Sequence, residues 1–120
     1  MQLELKPYSA CKVLIVDDEP ISRMLLTSIL EPFVTCISAA SGNEAIGQCV
    51  AHKPDLILLD MNMPDIDGLT VCRTLKDSAD TAHIPVVFVT STIDVETENM
   101  CWEVGASDFV LKPVTASTLV

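Results

Sequence analysis

The chain of 120 residues contains no apolar run longer than a handful of positions. Crossing a bilayer takes roughly 18 to 20 such residues in a row. No basic stretch followed by an apolar one stands at the N-terminus either, so neither membrane insertion nor export is expected. Basic residues are scarce: Lys and Arg number 7 against 17 Asp and Glu, for a formal net charge of -10. A surface of that sign cannot release counterions from nucleic acid or settle on an anionic membrane, which argues against direct binding to either and leaves basic proteins as partners. The cysteines (Cys11, Cys36, Cys49, Cys72, Cys101) are odd in number, widely spaced and without a C-x-x-C pair. That pattern speaks against a disulfide framework and against a zinc site. Buried thiols in a reducing, cytoplasmic setting are expected instead. Internal repeats, low-complexity segments and linkers are also missing. The length suits one ordinary core, and the expected organisation is a loosely held lead over residues 1–10 followed by one domain over 11–120.

Four continuous apolar runs are present, at residues 13–16, 56–59, 86–89 and 109–111. Continuous rather than alternating apolarity marks strands covered on both faces. A weaker segment at 33–40, rich in β-branched and small residues, falls where a second strand belongs. Helical spacing fills the intervals. Ile21, Met24, Leu25 and Ile29 share one face of a first helix, which Pro32 stops. Ser41-Gly42-Asn43-Glu44 has the S-x-x-E form, in which serine and glutamate side chains satisfy each other's free backbone donors, and Pro54 closes the helix that it opens. Leu69, Val71, Cys72 and Leu75 mark a third helix. Asp94 caps a fourth running to Val104, with Gly105 in the left-handed position that ends many helices. Strand-helix alternation with short connections implies right-handed crossovers and a parallel sheet with helices on both faces, in which ligands sit beyond the carboxyl ends of the strands.

Asp17 and Asp18 follow the first strand, Asp60 ends the third, Thr90 ends the fourth and Lys112 follows the fifth, so all five fall at that edge. Three carboxylates packed together at neutral pH repel one another unless a cation is present. Hard oxygen donors with no histidine or thiolate nearby favour Mg²⁺. Phosphoryl transfer needs positioning and neutralisation of charge on the equatorial oxygens, which a metal, Lys112 and a hydroxyl such as Thr90 supply, leaving one carboxylate as nucleophile. Each residue alone has an ordinary explanation. Asp-Asp after a strand serves as a solvated loop or helix cap, Thr90 as a strand-end turn residue, and Lys112 as a surface lysine. Asp60 is harder to dismiss, because an acid closing an otherwise apolar strand is unfavourable unless it emerges at a polar site.

At these residues the chain resembles the receiver domain of two-component response regulators. The matching pieces are K-V-L-I-V-D-D-E-P (12–20), D-L-I-L-L-D-M-N-M-P-D-I-D-G (55–68), P-V-V-F-V-T-S (85–91) and G-A-S-D-F-V-L-K-P (105–113), in the family's order and spacing from about Cys11 onward. The resemblance implies a flavodoxin-like, doubly wound five-stranded parallel sheet of order 2-1-3-4-5 with helices on both faces. It makes Asp60 the phosphoacceptor, fed by a sensor histidine kinase or histidine phosphotransfer protein. Asp18 and Asp60 would ligate Mg²⁺ (or Mn²⁺) through side chains, Asn62 through its carbonyl and Asp17 largely through water. Thr90, Lys112 and the backbone of Met61 and Ser91 would bind phosphoryl oxygens. Phe109 matches the switch aromatic that moves with Thr90, though plain core packing explains it equally. Lys112-Pro113 corresponds to a cis peptide. Pro64 and Gly68 shape the loop after Asp60, and Asn62 and Thr92 flank the path of a hydrolytic water.

One departure concerns the end of the chain. After Pro113 only residues 115–120 remain for a fifth helix, little more than one turn's worth. The final helix is expected to be truncated, with an output domain beyond Val120, or completion by a partner or swapped segment. Trp102 is a candidate contact residue or a packing residue of its own domain, and phosphorylation-driven homodimerisation through the fourth helix and fifth strand is a further expectation. The domain is not expected to be an enzyme beyond its own phosphorylation and dephosphorylation. Two other classes compete. A haloacid-dehalogenase-type phosphatase would carry D-x-D after its first strand, where this chain has adjacent aspartates. Unphosphorylated receiver-like interaction modules usually lose one or more of the acidic pair, the phosphoacceptor, the threonine or the lysine, and here Asp17, Asp18, Asp60, Thr90 and Lys112 are all present.

Overall fold

The computed structural model describes residues 11–61, 63, 65–91 and 94–112. Strand and helix alternate through them: β1 (Lys12–Val16), α1 (Pro20–Leu30), β2 (Thr35–Ala39), α2 (Gly42–His52), β3 (Leu56–Asp60), α3 (Gly68–Lys76), β4 (Val86–Thr90), α4 (Val95–Glu103) and β5 (Asp108–Leu111). The strands form one parallel sheet in the order β2-β1-β3-β4-β5, as the resemblance implied. The expected lead over 1–10, the Lys112-Pro113 peptide, residues Asn62, Pro64 and Thr92, and the truncated fifth helix at 115–120 lie outside the described residues.

Strand side chains alternate between two apolar layers, because successive residues point to opposite faces. Leu14, Val16, Ile57, Leu59, Val86 and Phe88 meet residues of α2, α3 and α4, including Ala45, Cys49, Val71, Leu75 and Cys101. Val13, Ile15, Leu56, Leu58, Val87 and Val89 meet Leu26 and Leu30 of α1 on the other side. Central strands β3 and β4 are buried at every position, in keeping with their unbroken apolar runs. Strand β5 is not: as an edge strand it leaves Phe109 and Val110 half-buried and Leu111 exposed, so double cover does not extend to this run. Fully burying a side chain of this size stabilises the fold by roughly 1.5–3 kcal/mol, which makes the central strands the rigid part of the frame.

Helix α1 is turned relative to the expected face. Ile21, Met24 and Leu25 are exposed and Ile29 only partly buried, whereas Leu26 and Leu30 are buried against the sheet. Residues 24, 25, 26, 29 and 30 are all apolar, so two neighbouring stripes fit the same 3.6-residue spacing, and the pattern does not choose between them. The start of α2 is also partly different. Ser41 Oγ accepts from the Glu44 amide at 3.2 Å, but the Glu44 carboxylate reaches past Ser41 to accept the Ala40 amide at 3.2 Å. Lys53, in the left-handed conformation at φ 47°, ends α2 before Pro54. Asp94 accepts from the Thr97 amide to begin α4, and Gly105 at φ 93° follows its end.

Gly68 is required by a close approach. A Cβ there would lie 2.5 Å from the Asp60 carbonyl oxygen, 2.9 Å from Met61 Cα and 3.0 Å from Phe88 Cε1. Gly68→Ala is therefore expected to destabilise the domain by about 1–3 kcal/mol despite the better helix propensity of alanine. Urea unfolding checks this, and an unchanged midpoint would contradict it.

Candidate functional site at the carboxyl ends of the strands

Parallel register delivers the polar residues to one edge. Val16 of β1 pairs with Leu59 of β3, Asp60 with Val89 of β4, and Thr90 with Leu111 of β5, so the strands end together. Asp17 continues the ladder by donating its amide to the Ala39 carbonyl at 3.2 Å. Lys112 does the same at the other side, its amide 2.7 Å from the Thr90 carbonyl. Backbone pairing thus fixes where both residues leave the sheet, and the Lys112 side chain reaches from the β5 end toward Asp17 and Asp60.

Asp17 is completely buried and fully engaged. Its Oδ1 accepts the Glu19 amide at 2.9 Å, its Oδ2 accepts from Lys112 Nζ at 3.0 Å, and its carbonyl accepts from Arg23 Nη1 at 2.7 Å. Asp60 is 7% exposed, and its Oδ1 lies 3.7 Å from the same Nζ. Burial pushes the Asp60 carboxyl up to about 6 and the neighbouring charge of Asp17 adds to the rise, with Lys112 opposing and Asp18 adding again. Burial works against the charge of Lys112, but the hydrogen bond to Asp17 and the charge of Asp60 outweigh it and raise its pKa above the ordinary value. Thr90 is buried at the end of β4, Met61 is buried beyond Asp60, and Ser91 is exposed.

The structure brings Asp17, Asp18, Asp60, Met61, Thr90, Ser91 and Lys112 to one edge. Phe109 lies apart, half-buried on the face of α4, with its ring 5.8 Å from that of Trp102. Trp102 is 42% exposed, so it packs on its own domain and presents surface at once. Two residues were not anticipated. Glu19 places a carboxylate oxygen within 4.8 Å of those of Asp17 and Asp18. Its only advance signal was the third acid of D-D-E. Arg23 fastens the Asp17 carbonyl from the first turn of α1, and an arginine six residues after an aspartate carries no signal of its own. No disulfide joins the cysteines, and burial pushes Cys49 and Cys72 up to about 11, which keeps those two thiols protonated and unreactive.

Residues 13–120 match the response regulator receiver domain family. The chain belongs to this family. It is 40% identical over 106 residues to the response regulator PleD of Caulobacter vibrioides, covering 88% of this chain and 23% of that protein. A probable cyclic di-GMP phosphodiesterase of Vibrio cholerae is 35% identical over 117 residues, 98% of this chain and 26% of the relative. The receiver therefore spans about a quarter of these two relatives. Among solved structures, a putative response regulator from Chloroflexus aurantiacus superposes with a TM-score of 0.86 at 31% identity, covering 95% of this chain and 92% of that one. The chemotaxis protein CheY4 of Vibrio cholerae superposes at 0.87 and 27% identity over 91% and 92%. Receiver domains serve as phosphoacceptors in two-component signalling and generally bind Mg²⁺ at an acidic pocket. The donor set of this receiver suits that ion: Asp17, Asp18 and Glu19 bring carboxylate oxygens within 4.8 Å of one another, and buried Asp60 adds a further oxygen donor at the same edge.

The raised Asp60 pKa fixes the sign of a pH dependence. Its folded value of about 6 exceeds the ordinary 3.8, so the stabilisation it gives is full below about pH 4 and is lost as pH rises through 6. Asp60→Asn has no charge to bury. Without divalent cation it is expected to be more stable than wild type at pH 7.5 by on the order of 1–3 kcal/mol, the difference shrinking toward pH 4. Urea midpoints across that range decide the matter, and a pH-independent difference would refute the account.

Proposed function

We propose that Asp60 accepts a phosphoryl group from a sensor histidine kinase or a histidine phosphotransfer protein. The observation that supports this reading most is one ammonium, Lys112 Nζ, standing 3.0 Å from Asp17 and 3.7 Å from Asp60 at the carboxyl edge of the sheet. An Asp60 carboxylate oxygen attacks phosphorus as the phosphorus–nitrogen bond of the donor histidine breaks, the electron pair of that bond returning to the imidazole. Lys112, already charged, is placed to meet the phosphoryl oxygens that arrive on Asp60. The hydroxyl of Thr90 and the amides of Met61 and Ser91 supply neutral donors beside it. Mg²⁺, held by Asp18, Asp60 and the Asn62 carbonyl with Asp17 behind water, would neutralise phosphoryl charge during transfer. Asp17 acts through its neighbours: locked by Glu19, Arg23 and Lys112, it keeps the ammonium turned into the site.

On this reading the domain is a switch rather than a phosphatase acting on external esters, and it controls a partner or an output domain beyond Val120. Exposed apolar side chains on α4 and β5, Val95 and Trp102 on one helix face and Leu111 at the strand end, support homodimerisation of the phosphorylated form. Retention of both early acids, Asp60, Thr90 and Lys112 weighs against an unphosphorylated interaction module.

Incubation with Mg²⁺ and acetyl phosphate is expected to add ~80 Da, one PO₃H group, to the intact mass. Asp60→Asn should abolish the adduct, and Lys112→Ala should slow its formation by roughly 10²-fold or more. A folded protein that stays unlabelled, or an Asp60→Asn variant that labels normally, overturns the assignment. Beryllofluoride is further expected to alter Trp102 fluorescence and to raise the sedimenting mass toward that of a dimer. A mass unaffected by beryllofluoride and by Trp102→Ala would remove the α4–β5 surface from consideration.

A further inference from the structure

Among the described residues, hydrogen bonds tie the loop that follows Asp60 to the rest of the domain both at its base and toward its far side. At its base, the Gly68 amide donates to the Met61 carbonyl at 2.8 Å. Toward its far side, the Asp65 carboxylate spans the first turn of α2, Oδ1 accepting the Gly42 amide at 3.0 Å and Oδ2 the Asn43 amide at 2.9 Å. These are the first two backbone donors of the helix, which have no partner within it. The next, on Glu44, goes to Ser41 Oγ. The helix start is thus shared between its own cap and a carboxylate 23 and 22 residues away in sequence.

Packing reinforces the tie. Gly42 is buried, and a Cβ there would overlap the side chain of Ile66 and come within 2.9 Å of Val71 Cγ2. Ile66 and Met63, on either side of Asp65, rest on the apolar layer beneath α2 and α3. The Asn43, Gly42 and Ile66 amides hold the Asp65 carboxyl at about 2, so it is ionised at any physiological pH. A charged acceptor bonded to two amides at a positive helix end is a firm joint even on the surface.

We propose that Asp65 is a positioning residue for the phosphoryl site: by fastening the loop to α2 it fixes the Met61 peptide directly after Asp60. The proposal rests on the reading of Asp60 as phosphoacceptor. Displacement of a catalytic group by about 1 Å can lower a rate by as much as 10²-fold. Releasing one end of a loop still closed at Gly68 is expected to slow labelling by roughly tenfold.

The test compares wild type with Asp65→Ala, Asp65→Asn and Ser41→Ala, measuring acetyl phosphate labelling by intact mass and native-state amide exchange. Asp65→Ala should slow labelling and speed exchange at Gly42, Asn43 and also Met61, while Asp65→Asn, which keeps an oxygen acceptor, restores part of both. Ser41→Ala removes the local helix cap without touching the loop, so it should lower stability yet leave Met61 exchange and labelling unchanged. If Asp65→Ala loosens only Gly42 and Asn43 and labels at the wild-type rate, Asp65 is a helix cap and the proposal falls. If Met61 loosens but wild type itself never labels, the clamp stands and the phosphoacceptor reading fails instead.

Discussion

Lys112 reaches from β5 to within 3.0 Å of Asp17 and 3.7 Å of Asp60, and without that charge the carboxylates assembled by the sheet would repel one another across a largely dehydrated edge. At an effective dielectric near 20, unit charges roughly 4 Å apart interact by about 4 kcal/mol, comparable with much of a domain's net stability. One cation between two acids offsets most of that repulsion. Burial first, and the repulsion that remains second, leave Asp60 with a proton affinity well above that of an exposed aspartate. The edge is held together and still short of positive charge, and that combination suits it to receive a divalent cation.

Such a concentration of charge is tolerable because the frame beneath it is apolar and continuous. Strands β3 and β4 are buried along their whole length, and β1 at all but Lys12. Their hydrogen-bonded registers leave little freedom in where Asp17, Asp60 and Thr90 emerge. Neighbouring strands run in parallel roughly 5 Å apart, so residues at matching ends must meet whatever their separation in sequence. Asp17 and Lys112 lie 95 residues apart and follow strands separated by β3 and β4, and the long lysine side chain still reaches across that edge to share a hydrogen bond. Burial provides the rigidity, and the chemistry occupies the places where burial stops.

What could be read in advance follows from that division. Continuous apolar runs located β1, β3 and β4 to within a residue or so at each end, because double cover leaves no other pattern available to them. The polar residues closing those runs then located the site edge. Information that is not local was lost. The orientation of α1 depended on which of two overlapping stripes, one with Met24 and Leu25 and the other with Leu26 and Leu30, fits the sheet, and spacing alone does not distinguish them. Glu44 bypassing Ser41 for the Ala40 amide is a matter of a few torsion angles. Asp65 stood in plain view within M-P-D-I-D-G, yet its partners are the amides of Gly42 and Asn43, which the chain meets long before it. Arg23 holding the Asp17 carbonyl was hidden for the same reason. Backbone acceptors and donors are invisible in a list of side chains.

The placement of Lys112 also bears on how a charge change at Asp60 would travel. Strand β5 is the least covered strand of the core layers, with Phe109 half-buried against Trp102 and Leu111 exposed, and it is fixed to the sheet on one side only, through β4. A phosphoryl group on Asp60 would bring about -1.5 to -2 charges and strong acceptor oxygens into reach of the ammonium. Asp17, carrying one charge shared with the Glu19 amide, then competes poorly for Lys112. Any shift of the lysine toward Asp60 pulls on the residue directly after Leu111, at the end of the strand with the least packing to resist. Phe109 and Trp102 lie along that same strand and the helix before it, so the element most able to yield is the one that carries the exposed apolar surface. On the proposed reading, a charge event at Asp60 would thus reach the exposed face through β5, the sparsely buried edge strand that carries Lys112 at its end.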